Sequence, residues 1–189
     1  MSVTAIEALE RRRTIRQYES DYEIPKEIMD RIMNAALISP TACDFQGQDY
    51  IVVTNKEKLA KLETVILDSM EDNKYKKYFM GRRERHGVKN VVTCDAPCIV
   101  LIVKNERAHK DWIRIDSGIA AMSIIIAAQN YGIESMCLGI IAMDFSKEKC
   151  EELFGLKKDS LILGVALGKL RPGFKLPEKV IKSKVTYDK

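Results

Sequence analysis

Apolar residues recur at helical spacing in some stretches of this chain and run unbroken in others, and the two patterns mark out its elements. Thr4-x-x-Glu7 is a capping box, which predicts a helix start with Val3, Ile6 and Leu9 on one face. A second helix is expected from Pro25, with Ile28, Ile32, Ala35 and Ala36 as its apolar stripe. Ser39-Pro40 stops it, because proline disfavours helical geometry in the residue before it. Residues 50–54, Tyr-Ile-Val-Val-Thr, read as a strand, and Lys56 to Leu67 as a helix with Leu59, Leu62 and Ile66 inward. Residues 98–103, Cys-Ile-Val-Leu-Ile-Val, predict a strand covered on both faces. Asp116 is expected to cap a long apolar helix that reaches Asn130 or Tyr131 and stops at Gly132. Ser146 to Phe154 is a short helix ended by Gly155, and Leu161 to Leu167 a last buried strand. Helices between strands give a mixed α and β class around a covered central sheet.

Three stretches fall outside this pattern. Between the second helix and the first strand, "LISPTACDFQGQDYIVVT" carries a polar loop of small residues, an acid, two glutamines and a glycine. From Lys74 to Lys89, seven cations face one acid, Glu84, and alternate with Tyr75, Tyr78 and Phe79. That segment reads equally as a solvated loop or as a mobile lid that meets dinucleotide phosphates, and more weakly as an RNA surface. The tail from Lys169 to Lys189 is broken by Pro172, Gly173 and Pro177 and rich in lysine. It has too little apolar surface to fold alone, so it must fray or lie on another surface such as a second subunit.

Composition narrows the function classes. The 189 residues suit one domain, residues 1–189, with one core. A net charge of +4 is too small to imply a nucleic-acid partner by itself. The start of the chain lacks a secretory apolar region, and the most apolar run, Ile119 to Ala128, is too short to span a bilayer. The five cysteines are odd in number and irregular in spacing, which fits reduced thiols in a cytoplasmic protein. Cys94 and Cys98 with His86 and His109 match no familiar zinc spacing, so no metal site is expected.

The candidate chemistry sits in Arg12-Arg13-Thr14-Ile15-Arg16, in the Ser39–Asp44 loop, and in the stretch from Gly132 to Gly139. Arginine forks beside a hydroxyl suit a phosphate, although cations also suit a helix C-terminus. In order along the chain, "RRRTIRQY", "AALISPTACDFQGQDYIVV", "IDSGIAAMSIIIAAQNYGIESMCLG" and "LILGVALGKLRPG" resemble segments of the nitroreductase-like flavoprotein family. The likeness covers nearly the whole chain.

The resemblance implies an α+β three-layer fold with a central, mostly antiparallel sheet flanked by helices. It also implies a homodimer with FMN in interface sites and a C-terminal extension wrapped on the partner subunit. By resemblance, Arg12, Arg13, Thr14 and Arg16 hold the flavin phosphate or pyrimidine edge, and Lys182 and Lys184 meet the phosphate. Ser39, Pro40, Thr41 and Asp44 reach the flavin bound mainly by the partner, while Cys137, Leu138 and Gly139 lie by the ring. A backbone N–H near Gly139 is directed at N5, and Cys137 packs rather than attacks. The implied activity is hydride transfer from NAD(P)H through FMN to a nitroaromatic, quinone or similar small acceptor, in ping-pong order. Reductive dehalogenation, dehydrogenation, and a non-enzymatic FMN carrier or sensor remain open. Asp44 stands where the family commonly has asparagine, and Gly47-Gln48 replace Pro-Trp, which leaves the acceptor undetermined.

Overall fold

Four strands form the centre of the computed structural model, which describes residues 3–72 and 74–188. They are β1 (Gln48–Val53), β2 (Cys98–Lys104), β3 (Glu134–Cys137) and β4 (Leu161–Gly168), in spatial order β1-β2-β4-β3 with every pair antiparallel. Among the described residues seven α-helices surround them: α1 (Ala5–Arg11), α2 (Lys26–Leu37), α3 (Lys56–Ser69), α4 (Lys74–Met80), α5 (Arg82–His86), α6 (Ile113–Gln129) and α7 (Lys147–Phe154).

The unbroken apolar run of β2 has a direct cause in the layering. Ile99, Leu101 and Val103 face a core shared with Leu59, Leu62 and Ile66 of α3 and with Cys150 and Phe154 of α7. Cys98, Val100 and Ile102 face a second core shared with Met29, Ile32 and Ala36 of α2 and with Ala121, Ile124 and Ala128 of α6. Successive strand residues point to opposite faces, so only a sheet covered on both sides tolerates six apolar residues in a row. Each buried aliphatic side chain contributes about 1.5–3 kcal/mol relative to exposure. The result is the expected α+β three-layer arrangement with an antiparallel sheet.

Several boundaries differ from the sequence expectation. β1 starts at Gln48, two residues early, because Gln48 and Asp49 already pair with Lys104 and Val103. Asp116 does not cap α6. The helix starts at Ile113, and Asp116 sits buried inside its first turn. The capping box at Thr4 forms as expected, yet only Ala8 of α1 is buried, leaving Ile6 and Leu9 exposed. Residues 74–86 are not a loop but the short helices α4 and α5. Tail residues 172–188 have no regular structure and are exposed. Lys189 of the expected tail, and Met1 and Ser2 of the expected domain, lie outside the described residues.

Candidate active site

β3 is an edge strand, and the chain after α1 covers that edge. Thr14 bridges Ser135 in parallel, Ile15 N–H donates to the Ser135 carbonyl at 3.0 Å, and Tyr18 bridges Leu170. Ile15 and Tyr18 are buried, which fixes the segment between them. Two of the three candidate stretches are thereby brought together, since Thr14 lies along the strand that ends at Cys137.

The arginines of the first stretch divide sharply by what they touch. Arg11 lies 3.8 Å from the buried carboxylate of Glu134. Arg13 donates to the carbonyls of Glu10, Arg11 and Arg12 at 2.7, 3.1 and 2.8 Å, and its Nε donates to the tail carbonyl of Pro177 at 2.9 Å. Its guanidinium is thus occupied with closing α1 and holding the tail. Arg12 and Arg16 differ: the Nε of each is buried and has no hydrogen-bond partner among the described residues. A buried donor left unpaired costs about 1–3 kcal/mol, so both are poised for an acceptor. Beside Arg12, Cys137 and Gly139 are exposed on either side of the buried Leu138. Burial raises the Cys137 thiol above its ordinary pKa, and the opposing pull of Arg12 does not overcome it. An unactivated thiol suits a packing residue and not a nucleophile.

The Ser39–Asp44 loop lies elsewhere, against the outer side of α6. Ser39 Oγ is 2.7 Å from Ser123 Oγ, and the Ala42 N–H donates to Asp116 Oδ1 at 3.1 Å. Cys43, Asp44 and Gln46 all adopt left-handed backbone, at φ 48°, 52° and 47°. Aspartate tolerates that region, but for cysteine it is costly and persists only where surrounding contacts over-determine the loop. Those contacts are present. Arg107 and Asn105 donate to the Gln46 carbonyl, and Asn105 N–H donates to the Gly47 carbonyl at 3.0 Å. The Gln46 amide donates to Asp44 Oδ1 at 2.9 Å. Gly47 has a steric reason: a Cβ there would meet the Ala108 Cα at 2.6 Å.

Within one chain the loop and Gly139 lie on different flanks of α6. Gly139 shares a cavity of about 460 Å³ with Ser117 and Gly118, whereas Ser39 and Pro40 border Ile119, Met122 and Ser123. Lys182 and Lys184 are exposed and make no hydrogen bond or ion pair among the described residues. The residue that sequence reasoning passed over is Arg82. It was hidden in a run of surface cations, yet it is 8% exposed, with its guanidinium 3.9 Å from the centroid of buried Phe79. The spacing Phe79-x-x-Arg82, which puts a ring and a cation on one face, was the available signal.

Among the described residues no cluster of side chains could hold a metal ion, and no helix is long and apolar enough to cross a membrane. A model described as the Nitroreductase family matches residues 9–169. A Methanothermobacter thermautotrophicus protein provisionally named NADH dehydrogenase/NAD(P)H nitroreductase is 29% identical over 154 residues, covering 80% of this chain and 69% of the relative. The fold matches a Bacteroides fragilis nitroreductase with bound FMN at TM-score 0.82 and 22% identity, over all of both chains. A Desulfitobacterium hafniense nitroreductase with bound FMN matches equally well, at TM-score 0.82 and 23% identity over all of both chains.

Proposed function

The chain belongs to the nitroreductase family, and we propose that it is an FMN-dependent oxidoreductase drawing on NAD(P)H to reduce a nitroaromatic, quinone or similar small acceptor. The observation that carries this reading is the pair of guanidinium Nε atoms at Arg12 and Arg16 left unpartnered among the described residues, on the segment that runs along the strand ending at Cys137. That donor set fits a ligand with both an anionic end and a flat ring edge. When bound, FMN supplies the two-electron chemistry, so no acid–base triad is required of the protein.

The protein's own residues bind and orient. Arg12 and Thr14 would take the phosphate, with Arg16 at the ring's pyrimidine edge. Leu138, buried beneath the exposed Cys137 and Gly139, fixes the backbone that faces the ring. Arg13 acts one step removed, by holding the tail that carries Lys182 and Lys184 toward the same phosphate. Electron donor and acceptor would occupy one open face in turn, which gives ping-pong kinetics.

The reading includes a homodimer of one-domain subunits. Leu9, Ile38, Ile119 and Met122 form an exposed apolar surface around Ser39 and Pro40, and Val180, Ile181, Val185 and Tyr187 of the tail are exposed as well. A second copy of the chain covers both surfaces and brings its Ser39, Pro40, Thr41 and Asp44 to the flavin. The five unpaired thiols suit the reducing cytoplasm. The test is anaerobic mixing of the purified protein with NADH and NADPH while flavin absorbance is followed. Rapid bleaching by either dinucleotide supports the enzyme; a bound flavin that neither bleaches makes the protein a flavin carrier.

A further inference from the structure

Gln46 is the point at which the loop after α2 is both tied together and tied down. Its N–H donates to Thr41 Oγ1 at 3.1 Å, and its side-chain amide donates to Asp44 Oδ1 at 2.9 Å. Its carbonyl accepts in turn from Arg107 Nη2 at 2.9 Å and from Asn105 Nδ2 at 3.1 Å. The same stretch braces the residues on either side. Phe45 stacks on His109 with ring centroids 5.5 Å apart and planes 6° from parallel, and the Gly47 carbonyl accepts from the Asn105 N–H. Left-handed backbone at Cys43 and Gln46 persists only because these contacts over-determine it. One polar atom is left over. Asp44 Oδ1 is engaged by Gln46, whereas Asp44 Oδ2 has no partner among the described residues and sits on an exposed residue.

We propose that Gln46 is a positioning residue. Held by Arg107, it fixes Thr41 and Asp44 so that Asp44 Oδ2 is left to accept a hydrogen bond from the flavin held by a second copy of the chain. This rests on the FMN and homodimer reading above. A carboxylate free to rotate would lose conformational freedom on meeting a ligand, and the Gln46 amide removes that cost before the ligand arrives. Gln46 thus acts on the cofactor through Asp44, and Arg107 acts through Gln46.

The experiment is a double-mutant cycle on the FMN dissociation constant, with Gln46→Met, Asp44→Ala and the two combined. Methionine matches the length of glutamine and removes the amide donor; Gln46→Lys returns a donor at similar reach. Gln46→Met should weaken FMN binding about tenfold, as expected for losing a charge-assisted hydrogen bond. Gln46→Lys should recover most of that loss. In the Asp44→Ala background Gln46→Met should have no further effect, because the residue it acts through is gone. Amide exchange in the apo protein supplies a readout without cofactor: Arg107→Met should speed exchange at residues 41–46. An unchanged FMN constant in Gln46→Met overturns the proposal, and so does a loss that simply adds to that of Asp44→Ala. Should Gln46→Met fail to fold, the cycle of Arg107→Met with Asp44→Ala decides by the same criteria. A parent protein that binds no FMN sinks the functional reading itself, and is distinguishable because no constant is then measured for any variant.

Discussion

At the residue scale, the run Arg11-Arg12-Arg13 shows how identical side chains divide their work. Arg12→Ala should weaken FMN binding by about 1.5–3 kcal/mol, the usual worth of a hydrogen bond to a charged group, and leave the apo protein's tail as resistant to trypsin as before. Arg13→Gln should do the reverse in the apo protein, speeding cleavage after Lys179, because the Pro177 carbonyl loses its donor. Parallel proteolysis and FMN titration separate the two, and equal tail cleavage in both variants would remove the clamp role of Arg13. His86 adds a pH dependence. Burial first, then Arg16, Arg82 and Arg85, hold its pKa below the ordinary 6.5. The unfolded chain therefore gains a proton near pH 6.5 that the folded chain resists, and stability is lost as pH falls through that value. Thermal melts from pH 7.5 to 5.5 should show a steeper decline for the parent than for His86→Gln. The sequence displayed the cation cluster plainly, but it could not say which arginine was free. That depended on Glu134, the α1 carbonyls and Pro177, which only folding brings near.

Elements were legible where periodicity was long and lost where a distant contact decided. The strand at Cys98 and the inward faces of α3 and the central part of α2 follow from spacing alone. Asp116 misled because a carboxylate before an apolar run normally caps its own helix. Here the helix gains another turn from Ile113, and the buried carboxylate is directed to the Ala42 N–H of a loop 74 residues away. The short helices α4 and α5 were hidden because aromatics and cations alternate without a clean stripe, and their order comes from Phe79, Arg82 and the Arg171 contact to the Gly87 carbonyl. The same dependence on distant chain governs Gly47. Gly47→Ala places a Cβ against the Ala108 backbone and should cost about 1–3 kcal/mol of stability. The shift should release the Gln46 carbonyl from Arg107 and weaken FMN binding, measured by thermal melting and by flavin fluorescence. An unchanged melting temperature would mean that residues 105–108 move aside freely.

At the scale of the whole molecule, the apolar faces of α1 and α6 are the largest departure from a self-contained fold. The periodicity that put Val3, Ile6 and Leu9 on one face gives α1 an apolar face, yet the chain leaves Ile6 and Leu9 of it exposed. Met122→Asp should therefore give a monomer by sedimentation and release FMN, since the loop around Ser39 borders the same surface. A dimeric, fully flavinated Met122→Asp protein would place the subunit contact elsewhere. The separation of that loop from Gly139 across α6 also has a genetic meaning. A chain damaged only at Arg12 and a chain damaged only in the Ser39 loop would each be inactive as a pure dimer. Joined in a mixed dimer of the proposed kind, they would concentrate both lesions in one site and leave the other wild-type. Two null alleles of this protein would then complement each other in the same cell, by a route that needs no recombination between them.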